Sequence, residues 1–197
     1  LRVSDVEFVN NVSAGPGGAI ENADRLTVDR STFVANVASQ GGAIANQLTG
    51  AATVRNSTFT LNQAANGGAI HNAGALTVSQ STVAGNSASA AGGGLDLGNS
   101  KVARLDATIV AGNTAPTGPD VRGGGAGDHN LIGNTAGTGS WNATNVLNKS
   151  AQLGSLWDNG GLTRTMKPLT GSPAIDAGPP TAVGATDQRG ETRLVNL

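Results

Sequence analysis

Apolar residues along this chain come in short runs of four to six positions, alternating with polar ones and bounded by Gly, Asn, Ser or Asp. Leu26-Thr-Val28, Ala52-Thr-Val54 and Leu76-Thr-Val78 are three of them. A period of two belongs to a strand with one face buried, and the chain does not sustain the 3.6-residue spacing of a helix. The runs return in phase with two other motifs. Gly-Gly-Ala-Ile stands at 17–20, 41–44 and 67–70, with Gly-Gly-Gly-Leu at 92–95 and Gly-Pro-Asp-Val at 118–121 in the same slot, so the first glycines are 24, 26, 25 and 26 residues apart. Phe8-Val-Asn-Asn11, Phe33-Val-Ala-Asn36, Phe59-Thr-Leu-Asn62, Val83-Ala-Gly-Asn86 and Val110-Ala-Gly-Asn113 keep the same step. Three strands per repeat at a period near 25 predict one coil of a parallel β-helix. A leucine-rich horseshoe would need Leu-x-x-Leu-x-Leu, which is missing. The expectation is an all-β, single-domain solenoid over residues 1–197 of roughly seven or eight coils, at about 25 residues per coil.

Alternation assigns directions. Leu26, Val28 and Phe33 point inward, and Ile20, Ile44, Ile70, Leu95 and Val121 form one inward column. Asn11, Asn36, Asn62, Asn86 and Asn113 should stack as an amide ladder at one corner; Asn22, Asn46 and Asn72 should form a second that ends at Leu97. Asn tolerates the left-handed backbone that a corner demands, and the Gly pairs allow another corner without a Cβ clash. Residues 1–122 carry the regular coils, 123–178 degenerate coils and loops, and 179–197 a cap or extension. Trp141 and Trp157 are expected as apolar plugs over the later coils.

Composition removes several classes. Gly and Ala each occur 30 times, Asn 19 times, and charged residues are 13%. Lys+Arg is 12 against Asp+Glu 13, so no basic excess points to nucleic acid. No apolar run is long enough for a membrane span, and without Cys there is no disulfide scaffold or thiolate metal site.

Gly-Gly-Ala-Ile paired with Phe-x-x-Asn resembles the polymorphic outer-membrane protein repeats of chlamydial surface proteins. Asn130-Leu-Ile-Gly133, Asn159-Gly-Gly-Leu-Thr163, Gly171-Ser-Pro-Ala-Ile-Asp-Ala-Gly178 and Thr186-Asp-Gln-Arg-Gly190 are similar to a choice-of-anchor Q domain. The resemblance implies a right-handed parallel β-helix, exported and displayed at the bacterial surface, its signal peptide removed. It brings no catalytic residues with it. The expected job is structural or adhesive, toward surface glycans or proteins of a host or neighbouring cell. Leu1-Arg-Val3 already matches Leu26-Thr-Val28, so the first coil is expected to be covered by an upstream domain or by another copy stacked end to end into a filament. Folding back of the tail is the disfavoured cover, given the distance it would have to travel.

The runner-up is a carbohydrate-binding or pectate-lyase-like polysaccharide-degrading β-helix. Its best constellation is an outward column, Glu21, Ala45, His71, Asp96 and Arg122, beside small residues Ala19, Ala43, Ala69 and Gly94 that end at Asp120. The competing expectation is a solvated face of alternating charge without an aromatic platform. No cofactor is expected. Calcium is the alternative, with Asp128, Asp176 and Asp187 as oxygen donors and His129 beside the first. Stacked Thr27, Thr53 and Thr77, and Thr32, Thr58 and Thr82, resemble ice-binding arrays, but a charged column adjoins them. Asn11, Asn56, Asn142 and Asn148 head glycosylation sequons, and Asn56 is the best exposed of them.

Overall fold

The computed structural model describes residues 1–98, 102–179 and 185–193. Three parallel sheets run the length of a β-helix. The first holds Arg2–Ser4, Arg25–Asp29, Ala51–Arg55, Ala75–Ser79 and Ala103–Asp106. The second holds Glu7–Val9, Thr32–Val34, Thr58–Thr60, Thr82–Ala84, Ile109–Ala111, Leu131–Ile132 and Val146–Leu147. The third holds Ile20–Asn22, Ile44–Asn46, Ile70–Asn72, Leu95–Asp96 and Val121–Arg122. The solenoid therefore has about five full coils, with two further rungs on the second sheet and single parallel bridges, Arg104 to Ala126 and Gly123 to Thr138, continuing the other two. The expected seven or eight coils are too many, because the chain leaves the axis after Leu147.

Registers put like over like. Val3, Val28, Val54, Val78 and Leu105 are paired in sequence along the first sheet, and Ile20, Ile44, Ile70, Leu95 and Val121 along the third. These columns make one continuous core. Each fully buried aliphatic side chain contributes about 1.5–3 kcal/mol relative to exposure. Phe8, Phe33 and Phe59 stack at centroid distances of 4.8 and 4.6 Å. That is the spacing between strands, so the rings stack because the coils do. Trp141 closes the later end of this core, whereas Trp157 is exposed on an outer hairpin and plugs nothing.

Both amide ladders form. Asn11, Asn36, Asn62 and Asn86 each donate from Nδ2 to Oδ1 of the next at 2.8–2.9 Å, reaching Asn113. Asn22 donates to Asn46 and Asn46 to Asn72, both at 2.7 Å. The left-handed corner residues are not the ladder asparagines. They are the residues just before, Asn10, Ala35, Leu61, Gly85 and Gly112, with φ between 53° and 70°. The corner is turned one position early, so the ladder side chain can point in. In the Gly-Gly pair the two glycines have different duties. Gly67 has φ +65°, and a Cβ on Gly68 would lie 2.1 Å from the Gly93 carbonyl oxygen of the next coil.

Beyond Leu147, described residues return along the outside of the second sheet, as the contacts of Thr163, Arg164 and Gln188 with it show. Leu153–Trp157 and Thr165–Pro168 form an antiparallel hairpin. Arg164 ion-pairs with Glu7 of the first coil, and its amide donates to Glu7 Oε1 at 2.6 Å. The tail does fold back, contrary to expectation. It lies along the flank and leaves Leu1 at the end of the stack exposed.

Candidate functional site

The column Glu21–Ala45–His71–Asp96–Arg122 is in register along the third sheet. Strand alternation turns these side chains away from the core, and coil stacking sets their order. Its centre is Asp96, whose side chain has no exposed surface. Arg122 Nε donates to Asp96 Oδ1 at 2.7 Å and Arg122 Nη2 to Oδ2 at 2.7 Å, a two-pronged grip. The Gly98 amide donates to Oδ1 at 3.0 Å. His71 Nδ1 lies 3.0 Å from Oδ2. An ionised carboxylate only accepts, so Nδ1 carries the proton. Burial pushes the Asp96 carboxyl up, but the hydrogen bonds from His71, Arg122 and Gly98 hold it below its ordinary value. The sequence places Glu21 in this group, but the fold keeps it apart: Ala45 intervenes, and Glu21 accepts from Gln47 Nε2 at 2.8 Å instead.

The small-residue wall expected beside this column is not there. Ala43 and Ala69 lie in the core, with Ala19 packed against it. They precede their strands, in the turn, where alternation does not apply. Asp120, in the same slot, is 1% exposed and ends the first ladder: Asn113 donates from N and Nδ2 to Asp120 Oδ1 at 3.0 and 2.8 Å, and the Asn134 amide to Oδ2 at 2.7 Å. Burial raises its carboxyl above the ordinary value against those N–H groups.

A third ladder escaped the sequence reading. The amides of Val6, Ser31 and Ser57 donate to the hydroxyls of Ser31, Ser57 and Ser81 at 3.1–3.3 Å. The column continues through Thr108 to Asn130 and Asn145. Its signal was the Ser-Thr pair at 31–32, 57–58 and 81–82. The Thr half of that pair is no open array, since Thr32 and Thr58 are buried under the tail. Thr32 donates to the Arg164 carbonyl at 2.6 Å and Thr58 to Gln188 Oε1 at 2.7 Å. Gln188 Nε2 donates back to Thr32 and to Thr163 Oγ1 at 2.9 and 3.0 Å. Asn56 is buried rather than exposed and accepts from Arg193 Nη2 at 3.1 Å.

Of the calcium candidates, Asp128 accepts from Arg104, Asn142 and Thr144, and Asp187 from Arg189. Asp176 is exposed, at φ 56°. No group of three or more His, Asp or Glu is placed to hold a metal among the described residues. Between the second sheet and the tail lies a cavity of about 970 Å³, which reaches from Thr82 and Ile109 to Asn159, Lys167 and Arg193. No single repeat could announce it, because its walls come from several coils and from the tail.

A family model for the Chlamydia polymorphic membrane protein repeat matches residues 56–73. No curated protein and no solved structure matches the chain. Within the matched stretch Phe59 belongs to the ring stack, Asn62 and Asn72 to the two ladders, and Ile70 to the core. Parallel coils, amide ladders and this repeat fit the architecture of a surface-type repeat protein.

Proposed function

We propose that the chain is a non-enzymatic structural and adhesive module displayed outside a bacterial cell. The observation that carries this reading is the closed state of Asp96, buried with both oxygens taken by Arg122, His71 and Gly98. A general acid or base must reach the proton it moves. A carboxylate gripped this way braces neighbouring coils instead. His71 is oriented as in a nucleophilic triad, but among the described residues no hydroxyl hydrogen-bonds its other ring nitrogen. The matched repeat supports surface display, and the tail motifs, with their likeness to a choice-of-anchor Q domain, support a role at the cell boundary.

End-to-end growth belongs to the same reading. Arg2–Ser4, Glu7–Val9 and Ile20–Asn22 are the edge strands of the three sheets. One further coil, from a longer chain or a second copy, would extend all three. The partners this surface suits are glycans or proteins of a host or neighbouring cell. The test is a depolymerisation assay on pectin-type and other acidic glycans with wild type and His71→Ala. Neither protein should shorten any chain. Cleavage by wild type that His71→Ala abolishes would establish the enzyme reading instead. Light scattering and electron microscopy across protein concentration test the growth: oligomers lengthening with concentration are expected, and a strict monomer removes that part.

A further inference from the structure

We propose that Arg193 is the anchor of a binding site for an acidic saccharide, carboxylated or sulfated, in the cavity between the second sheet and the tail. The inference goes beyond the structural role above and does not depend on it. The starting point is an unpaired group. Arg193 Nη2 donates to Asn56 Oδ1 at 3.1 Å, while Arg193 Nε is buried with no hydrogen-bond partner. A buried N–H without an acceptor is costly and calls for a missing partner.

Charge says which kind. Arg30, Arg55, Arg164 and Arg189 each contact a carboxylate, but Arg193, also partly buried, contacts none among the described residues. The nearest candidate is already used: Asp187 Oδ2 accepts from Arg189 Nε and Nη2 at 2.8 and 2.7 Å, and Oδ1 takes the amides of Arg189 and Glu191. Burial lowers the Arg193 guanidinium below its ordinary value; Asp187 opposes that, and the positive charges of Arg189 and Arg55 add to it. An anion would relieve both the charge and the open N–H. Nε–H and the Nη2 group share one edge of the guanidinium, the fork that matches two oxygens of a carboxylate or sulfate, and a ligand reaches Nε by opening the packing that covers it.

Geometry holds the fork in place. The Arg193 amide donates to the Ala185 carbonyl at 2.8 Å, and Thr186 pairs with Thr192, so the arginine sits on a closed hairpin. Gln188 of that hairpin is pinned to Thr32 and Thr58. The cavity is far larger than one ion, at about 970 Å³, within the size range of small-molecule sites. Gln80 lines it with a side-chain amide suited to a sugar ring.

Arginine Nε–Hε resonances of the 15N-labelled chain test the proposal, with the Arg193 signal assigned by its loss in Arg193→Gln. Digalacturonate, inorganic sulfate and neutral galactose are titrated separately. The Arg193 signal should move saturably with the two anions, more tightly with digalacturonate, and not with galactose. Arg193→Lys, which keeps charge but loses the fork, should bind digalacturonate at least tenfold more weakly. Sulfate binding without digalacturonate binding would overturn the saccharide class. Undiminished binding by Arg193→Gln would overturn the site.

Discussion

Asn62 stands in the middle of the first ladder, and its replacement by Leu tests what the ladder contributes. Its Oδ1 accepts the Asn36 amide at 3.0 Å and Asn36 Nδ2 at 2.9 Å; its Nδ2 donates to Asn86 Oδ1 at 2.9 Å and the Phe33 carbonyl at 3.0 Å. Leucine removes all four. Asn36 Nδ2 keeps the Phe8 carbonyl, and Asn86 Oδ1 keeps the Asn62 amide, but the Asn36 amide and the Phe33 carbonyl lose these partners in the interior. Each buried group left open costs about 1–3 kcal/mol. Leucine recovers a part by apolar contact, so a net loss of about 2–4 kcal/mol is expected. For a chain of this size that is a fall in Tm on the order of 5–15 °C. Asn11→Leu is the control. Asn11 is exposed at the ladder's end and donates its amide nitrogen to Asn36 Oδ1 alone, so the cost should stay under about 1 kcal/mol. Thermal unfolding reads both, and hydrogen exchange shows whether the loss centres on the coils around Asn36 and Asn86, as nearest-neighbour coupling requires. Equal effects of the two substitutions would refute the argument.

Gln188→Ala should loosen the tail without melting the coils: residues 163–193 should exchange at least tenfold faster and be cut more readily by protease, while the ladder amides stay protected. Gly68→Ala should cost about 3 kcal/mol or prevent folding, because its Cβ would meet the Gly93 carbonyl, whereas Gly124→Ala, with nothing within 4 Å, should be nearly neutral in the same melts. Asp96, held low, contributes stability that is present above about pH 4 and lost as pH falls through its folded value. Asp120, held high, does the reverse: the fold is favoured while it is protonated, and that advantage is lost as pH rises through its folded value. In urea unfolding the deficit of Asp96→Asn should therefore shrink below about pH 4, while the balance between Asp120→Asn and wild type should move toward the variant as pH rises above it.

What could be read from the residues is what the coils repeat. Phe8, Phe33 and Phe59, or Asn36, Asn62 and Asn86, announce a column because parallel strands at a fixed spacing must put like over like. The same rule failed one residue outside the strands. Ala43 and Ala69 follow a left-handed glycine in the turn, so counting back from Ile44 and Ile70 put them on the wrong face, and Asp120 with them. The left-handed corner was placed on the asparagines for a related reason. Tolerance of that backbone is a property of Asn in isolation, but a ladder needs its side chain pointing inward, and Ala35 and Leu61 take the strain instead. In the column of charges, spacing correctly brought His71, Asp96 and Arg122 together. It could not tell that Asp96 would be enclosed by its own neighbours.

The coil count was overturned by the path of the tail, and the second sheet held the clue to it. Dividing the whole length by the period assumes that every residue coils, but the hairpin of Leu153–Trp157 and Thr165–Pro168 lies outside the solenoid. Along the outer column of the second sheet the residues run Thr32, Thr58, Thr82, and then Ile109, Leu131, Val146. A solenoid face that turns from hydroxyl to aliphatic has stopped facing water. Ile109, Leu131 and Val146 pack with Ala151, Leu153 and Ala174 into a second, smaller core, which draws the returning chain onto the sheet. Over the threonine half of the column that attraction is absent. There the contact is made by hydrogen bonds, through Gln188, Arg164 and Thr163. The column thus divides the tail into a part fixed by apolar burial and a part held by polar bonds. Exchange should open the polar part first, beginning with the hairpin that carries Arg193.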